Sequence, residues 1–75
     1  MTIIEAMRAS AKRHGVSEGD VLGRTRKPHI VKARWAGWAK AVEAGHTRAD
    51  IARAVGKDWT SVMHGVRRYN EGKGT

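Results

Sequence analysis

The chain has no cysteine, no phenylalanine, a single proline, and only 7 acidic residues among 75. Without cysteine, disulfide staples and thiolate zinc ligands are excluded, so a chain this short must be held together by packing of its own elements. Without phenylalanine, the core must come from Ile, Val, Ala and Met together with Trp35, Trp38 and Trp59. Each tryptophan is therefore a candidate for stability, function or both. No apolar run reaches the length of a membrane span, and the first ten residues carry Glu5 and Arg8 where a secretory leader needs an apolar stretch. A cytoplasmic location and no membrane partner are the expectation. The length leaves room for one domain.

The shortage of acids leaves a surplus of cations, 15 Lys and Arg, for a formal net charge of +8. Such a balance favours a polyanionic partner, nucleic acid first. The four histidines show no metal-ligand spacing, no carboxylate pair stands out, and no serine is placed beside an activating base. The chain is read as a non-enzyme without metal or cofactor.

Helix signals punctuate the sequence from end to end. Thr2 stands three residues before Glu5, a capping-box arrangement. The helix it opens puts Ile4, Met7 and Ala11 on one face and stops at Gly15. Ser17 with Asp20 repeats the start signal for a short helical turn ending at Gly23, pinned by Val16, Val21 and Leu22. Residues 24–28 read as a basic loop, because three cations there have no apolar neighbour and Pro28 biases Lys27 away from helical geometry. Pro28 can itself open the next helix, whose stripe is Val31, Trp35, Trp38 and Val42, widened by Ile30, Ala39 and Ala41. Gly37 inside it is a weak point of about 1 kcal/mol against Ala, unless another helix crosses closely there.

Thr47 with Asp50 starts a fourth segment, with Ile51, Ala52 and Val55 inward and Gly56 at its end. Asp58 caps a last helix whose inward positions are Val62, Met63, Val66 and Tyr69. Residues 70–75, with two glycines and no apolar side chain, are expected to fray. No segment alternates with period two. The expected fold is all-α: four helices plus one short helical turn, as a single domain over 1–69.

Two helices around a tight glycine turn form a helix-turn-helix if they cross steeply, with a plain helical hairpin as the alternative. Ala52, Gly56 and Val62 match the spacing of that motif over 47–69: a small residue for close approach, a glycine for the turn, and a branched residue to fill the angle.

From Val16 to Arg68 the chain resembles the C-terminal DNA-binding domain of the bacterial replication initiator DnaA. The resemblance rests on Asp20-Val21-Leu22-Gly23 before the basic loop, Ile30 through Arg34, and Ile51-Ala52 with Val55-Gly56. Above all it rests on Asp58-Trp59-Thr60-Ser61-Val62-Met63-His64-Gly65-Val66-Arg67-Arg68, parallel to the family's Asp-His-Thr-Thr-Val signature. It implies a Trp-repressor-like helix-turn-helix that binds double-stranded DNA in a bacterial or phage-infected cell. By the same resemblance Arg26, flanked by Arg24 and Lys27, would enter the minor groove, where a guanidinium suits the negative potential of A·T-rich sequence. Asp58, Trp59 and Thr60 would meet bases in the major groove, and Ser61 a phosphate. Lys32 and Lys57, as phosphate-facing residues beside the reading elements, and Thr47 complete the expected contact set.

The chain departs from the family at Trp59, where the signature has histidine, at Ala49, where proline is common, and in a turn shortened by one residue before Asp58. An indole cannot accept a hydrogen bond, so the preferred site should differ from the initiator's box at about one or two base pairs. No Gly-x-x-x-x-Gly-Lys-Ser/Thr loop is present to bind ATP. The expected role is therefore a small regulator of transcription or replication without ATPase activity, one that can work as a monomer. The rival class is a protein-interaction module whose cations meet an acidic partner. Arg8, Lys12, Arg13, Lys40 and Lys73 read as solvated cations, Arg34, Arg67 and Arg68 as undecided, and Trp35 and Trp38 as core. Trp59 either faces DNA or packs on the preceding helix, and His64 reads as a structural hydrogen-bonding residue.

Overall fold

The computed structural model describes residues 1–73, and among them there are five helices and no strand. In chain order these are α1 (Ile3–His14), α2 (Glu18–Leu22), α3 (Pro28–Glu43), α4 (Arg48–Val55) and α5 (Trp59–Lys73). The five-residue α2 is the short helical turn, so the all-α architecture is the expected one.

Each start signal closes its hydrogen bond. The Thr2 hydroxyl accepts from the Glu5 N–H at 3.1 Å while the Glu5 carboxylate accepts from the Thr2 N–H at 3.0 Å, a complete capping box. The Ser17 and Thr47 hydroxyls accept from the N–H groups of Asp20 and Asp50 at 3.0 and 3.1 Å. The Asp58 carboxylate accepts from the Thr60 N–H at 3.3 Å. These bonds satisfy donors that a helix start otherwise leaves unpaired.

Helix α3 is the axle of the molecule and packs against all four other helices. Its buried residues include Ile30, Ala33, Ala36, Trp38, Ala39 and Ala41, and the four alanines among them let its neighbours come close. Met7, Val21, Ile51, Val62 and Val66 fill the centre from the other four helices. Gly37 lies where α1 crosses: a Cβ there would sit 2.7 Å from the Met7 sulfur and 3.3 Å from the Met7 Cα. The missing side chain is what permits the crossing. Gly65 on α5 does the same for the tryptophans, since a Cβ would fall 2.4 Å from Trp35 and 2.7 Å from Trp38.

Three sequence expectations are corrected. Met63 is not inward but 39% exposed, because Val62, Gly65, Val66 and Tyr69 form the stripe that meets α3 and Met63 lies round the helix from them. Ile4 is only half-buried; the deep residues of α1 are Ala6, Met7, Ser10 and Ala11. The last helix does not end at Tyr69 but continues through Asn70 to Lys73, with Glu71 reaching back to Arg67 and Arg68 at 3.5 and 3.9 Å. Such i,i+4 and i,i+3 pairs support an exposed last turn. The rest of the expected frayed tail, residues 74–75, lies outside the described residues. Among the described residues no helix is long and apolar enough to cross a membrane.

Candidate nucleic-acid interface

The turn between α4 and α5 is built by three local devices. Gly56 adopts φ 69°, a left-handed conformation that a side chain would strain, and so ends α4. The Lys57 N–H then donates to the Ala52 carbonyl at 2.9 Å, and Asp58 caps α5. Ala52 and Val62 are both buried where α4 and α5 pack together. The left-handed glycine and the two buried residues stand at the positions of the motif's spacing.

The leading turn of α5 points outward. Asp58, Trp59, Thr60 and Ser61 are all exposed, and Trp59 shows 52% of its surface. An indole this exposed in the first turn of a helix is a large apolar body beside two hydroxyls.

The basic loop is held from beneath by Arg34. This side chain is 7% exposed and donates three hydrogen bonds to carbonyls: from Nε to Val21 at 3.0 Å, from Nη2 to Asp20 at 3.0 Å and from Nη1 to Thr25 at 3.1 Å. Two of those carbonyls lie in the last turn of α2, the negative end of its dipole. Burial pushes the guanidinium below its ordinary value, which lies so far above neutrality that the charge persists. Arg34 is therefore an internal clamp and not a phosphate contact.

Lys57 ties the loop to the helix turn. Its Nζ donates to the Gly23 carbonyl at 3.1 Å, bridging 34 residues of chain. Burial first, then repulsion from Arg34 and Arg24, lowers the pKa of this ammonium. A lysine kept there against repulsion marks a concentration of positive charge, and its ammonium retains N–H donors beyond the one given to Gly23.

Above these two anchors Arg24, Arg26 and Lys27 are exposed, as is Lys32 on α3. Among the described residues the ion pairs lie elsewhere, Glu18 on Arg8, Asp50 on Arg53, and Glu71 on Arg67 and Arg68, and none involves these four cations or Lys57. The field of the loop is left unneutralised.

Trp35 joins the loop side to the α5 side. It walls a cleft of about 360 Å³ with Arg34, Lys57, Thr60, Ser61 and His64, and it also lines a second groove with Arg26 and Lys32. Arg26 and the leading turn of α5 therefore border adjoining surfaces. Neither cleft includes Thr47, whose hydroxyl caps α4. His64 is exposed and meets Trp35 edge-on at 6.1 Å, a ring contact rather than the expected hydrogen-bonding role. Trp38 is core, at 3% exposure, while Trp35 is half-buried.

Sequence reasoning missed the clamp. The signal was present: Arg34 sits one turn from Ile30 and two turns from Ala41, an arginine inside an apolar stripe. Among the described residues no group of three or more His, Cys, Asp or Glu could hold a metal ion. Compared with known proteins, the chain matches no family model, no curated protein and no solved structure.

Proposed function

We propose that the chain binds double-stranded DNA with sequence preference, the leading turn of α5 in the major groove and Arg26 in the neighbouring minor groove, as its resemblance to the DnaA C-terminal domain implies. One observation supports this above the others: Arg34 and Lys57 tie the basic loop to the helix-turn-helix through four hydrogen bonds to backbone carbonyls. Two elements that must address adjacent grooves at once need a fixed relation to each other. The longest dimension, 28 Å, is shorter than about one turn of B-DNA, roughly 34 Å, so one copy would cover neighbouring grooves on one side of the duplex.

In this reading Trp59 packs on a thymine methyl or donates through its indole N–H, and Thr60 and Asp58 address neighbouring base edges. Arg24, Lys27, Lys32, Lys57 and Ser61 meet phosphates. The role is that of a small regulator of transcription or replication, acting in the cytoplasm on the nucleoid and catalysing no reaction.

Selection from random duplexes followed by a salt titration tests it. About five cationic contacts, Arg26 and the four phosphate-facing cations, predict a log–log salt slope of about −4.5, with a recovered motif bound at least a hundredfold more tightly than random duplex. Equal affinity for all duplexes would instead favour an acidic protein partner.

A further inference from the structure

The surface between the first turn of α3 and the second half of α5 has a character that DNA contact does not use. There Pro28, Val31, Trp35 and Tyr69 floor a groove of about 690 Å³. Val31, Trp35 and Tyr69 are each half-buried, so apolar surface still faces water along the groove. Its volume falls within the range of roughly 300–1,000 Å³ usual for small-molecule sites. Three exposed cations, Arg26, Lys32 and Arg68, stand among its lining residues, and no acid does. They come from three different elements: the basic loop, α3 and α5. The carboxylate of Glu71 is shared between Arg67 and Arg68 at 3.5 and 3.9 Å, one negative charge against two positive ones.

The chemistry of the occupant follows. A polyanionic duplex would engage the cations but offers its grooves' edge no large apolar body to cover Val31, Trp35 and Tyr69. A second copy of the chain would bring the same +8 charge against a basic surface. An uncharged apolar molecule would cover the floor and leave the cations unused. We propose that the groove is a binding site for a small amphipathic anion, a flat ring system or short chain carrying a carboxylate or sulfonate. The apolar body lies on Val31, Trp35 and Tyr69, and the anionic head is held by Lys32, Arg68 or Arg26. Arg26 and Lys32 are also placed on DNA, so ligand and duplex compete for the same two side chains. That competition rests on the DNA-binding reading; the site itself does not.

The test uses the whole chain without DNA and the fluorescent anion 1-anilinonaphthalene-8-sulfonate as probe. Saturable one-to-one binding is expected, with displacement by 2-naphthoate at a concentration at least tenfold lower than by the uncharged 2-naphthol. Val31→Glu and Arg68→Glu, both at solvent-reached positions, each weaken the probe at least tenfold while circular dichroism retains the helical spectrum. Lys12→Glu, on α1 and outside the groove, leaves probe affinity within twofold. Non-saturating binding, equal displacement by the two naphthalenes, or unchanged affinity in both groove variants overturns the proposal. A second arm adds saturating 2-naphthoate to a duplex titration, where at least a fivefold loss of duplex affinity is expected. Probe binding with no effect on a duplex that binds well overturns the competition. Probe binding by a chain that binds no duplex at all sinks the DNA reading and leaves the site standing.

Discussion

The α1–α3 crossing and the loop–turn junction are both close contacts between distant parts of the chain, yet they are held by opposite means. At the crossing, contact is possible because Gly37 has no side chain to meet Met7, and the charges of α1 are dealt with at its surface, as in the Arg8–Glu18 pair at 3.1 Å. At the junction, contact depends on two long cations, Arg34 and Lys57, that donate to carbonyls of α2 and the loop and meet no carboxylate. Apolar close packing resists local change in shape. Polar anchoring sets a position and leaves the net positive charge in place. The first suits a scaffold, and the second suits a surface that must present cations at a fixed place.

The comparison can be broken most severely on its apolar side. Gly65→Val puts branched carbons where one Cβ would already lie 2.4 Å from Trp35. We expect a loss of about 3 kcal/mol, which for a domain this small lowers Tm by roughly 12–24 °C in a thermal melt.

On the polar side, Arg34→Met removes a side-chain donor from three carbonyls, of which that of Asp20 keeps the Gly23 N–H at 3.2 Å. The expected loss of stability is about 1–3 kcal/mol, smaller than for Gly65→Val, together with roughly a tenfold fall in the ratio of specific to random duplex affinity. Arg34→Lys should not rescue that ratio, because one ammonium lacks the planar fork that reaches three acceptors. Competition binding and a denaturant melt of the same samples measure both.

Trp59→Ala separates interface from scaffold. The ring is 52% exposed, so stability should move by less than about 1 kcal/mol, while affinity for the selected duplex falls by about 1–2 kcal/mol, about five- to thirtyfold. A collapsed melt would assign the ring to the core.

Smaller differences are expected between Arg26→Ala and Lys57→Ala. The first should weaken duplexes with an A·T-rich flank several-fold more than those with a G·C-rich flank, and the second should weaken both sets alike. Equal losses on the two sets for Arg26→Ala would remove its minor-groove role.

The smallest effect concerns pH at the far end of α1. The Thr2 N–H first, then its hydroxyl, hold the Glu5 carboxyl below the usual carboxylate range. Its folded pKa is thus below its unfolded one, so the stability it contributes is present above the unfolded value and is lost as pH falls through the folded value. Melts from neutral pH down into the acid range should show the stability gap between wild type and Glu5→Gln narrowing as pH drops.

Much of the scaffold was legible residue by residue. Thr2, Ser17, Thr47 and Asp58 each cap through a bond to an N–H two or three residues away, and interactions of that range are written in local order. Ala52, Gly56 and Val62 were legible for the same reason. Met63 was misplaced because the periodicity of α5 admits a wider stripe than α3 can cover, and how much a neighbour covers is not a property of one helix. Gly65 passed unnoticed, since a glycine within a helix signals a close approach only when the approaching tryptophans are known.

Taken alone, the amino-acid sequence determined where the helices start and where all but the last stop, the surplus of positive charge, and the helix-turn-helix spacing, because each depends on neighbours within a few residues. Tertiary structure decided which cations are free and which are engaged. Arg34 reaches carbonyls 9 to 14 residues away and Lys57 one 34 residues away, and partners at that separation meet only when α3 has drawn the other helices around it. The apolar groove beside Arg26 was decided in the same way, by two helices that share no local signal.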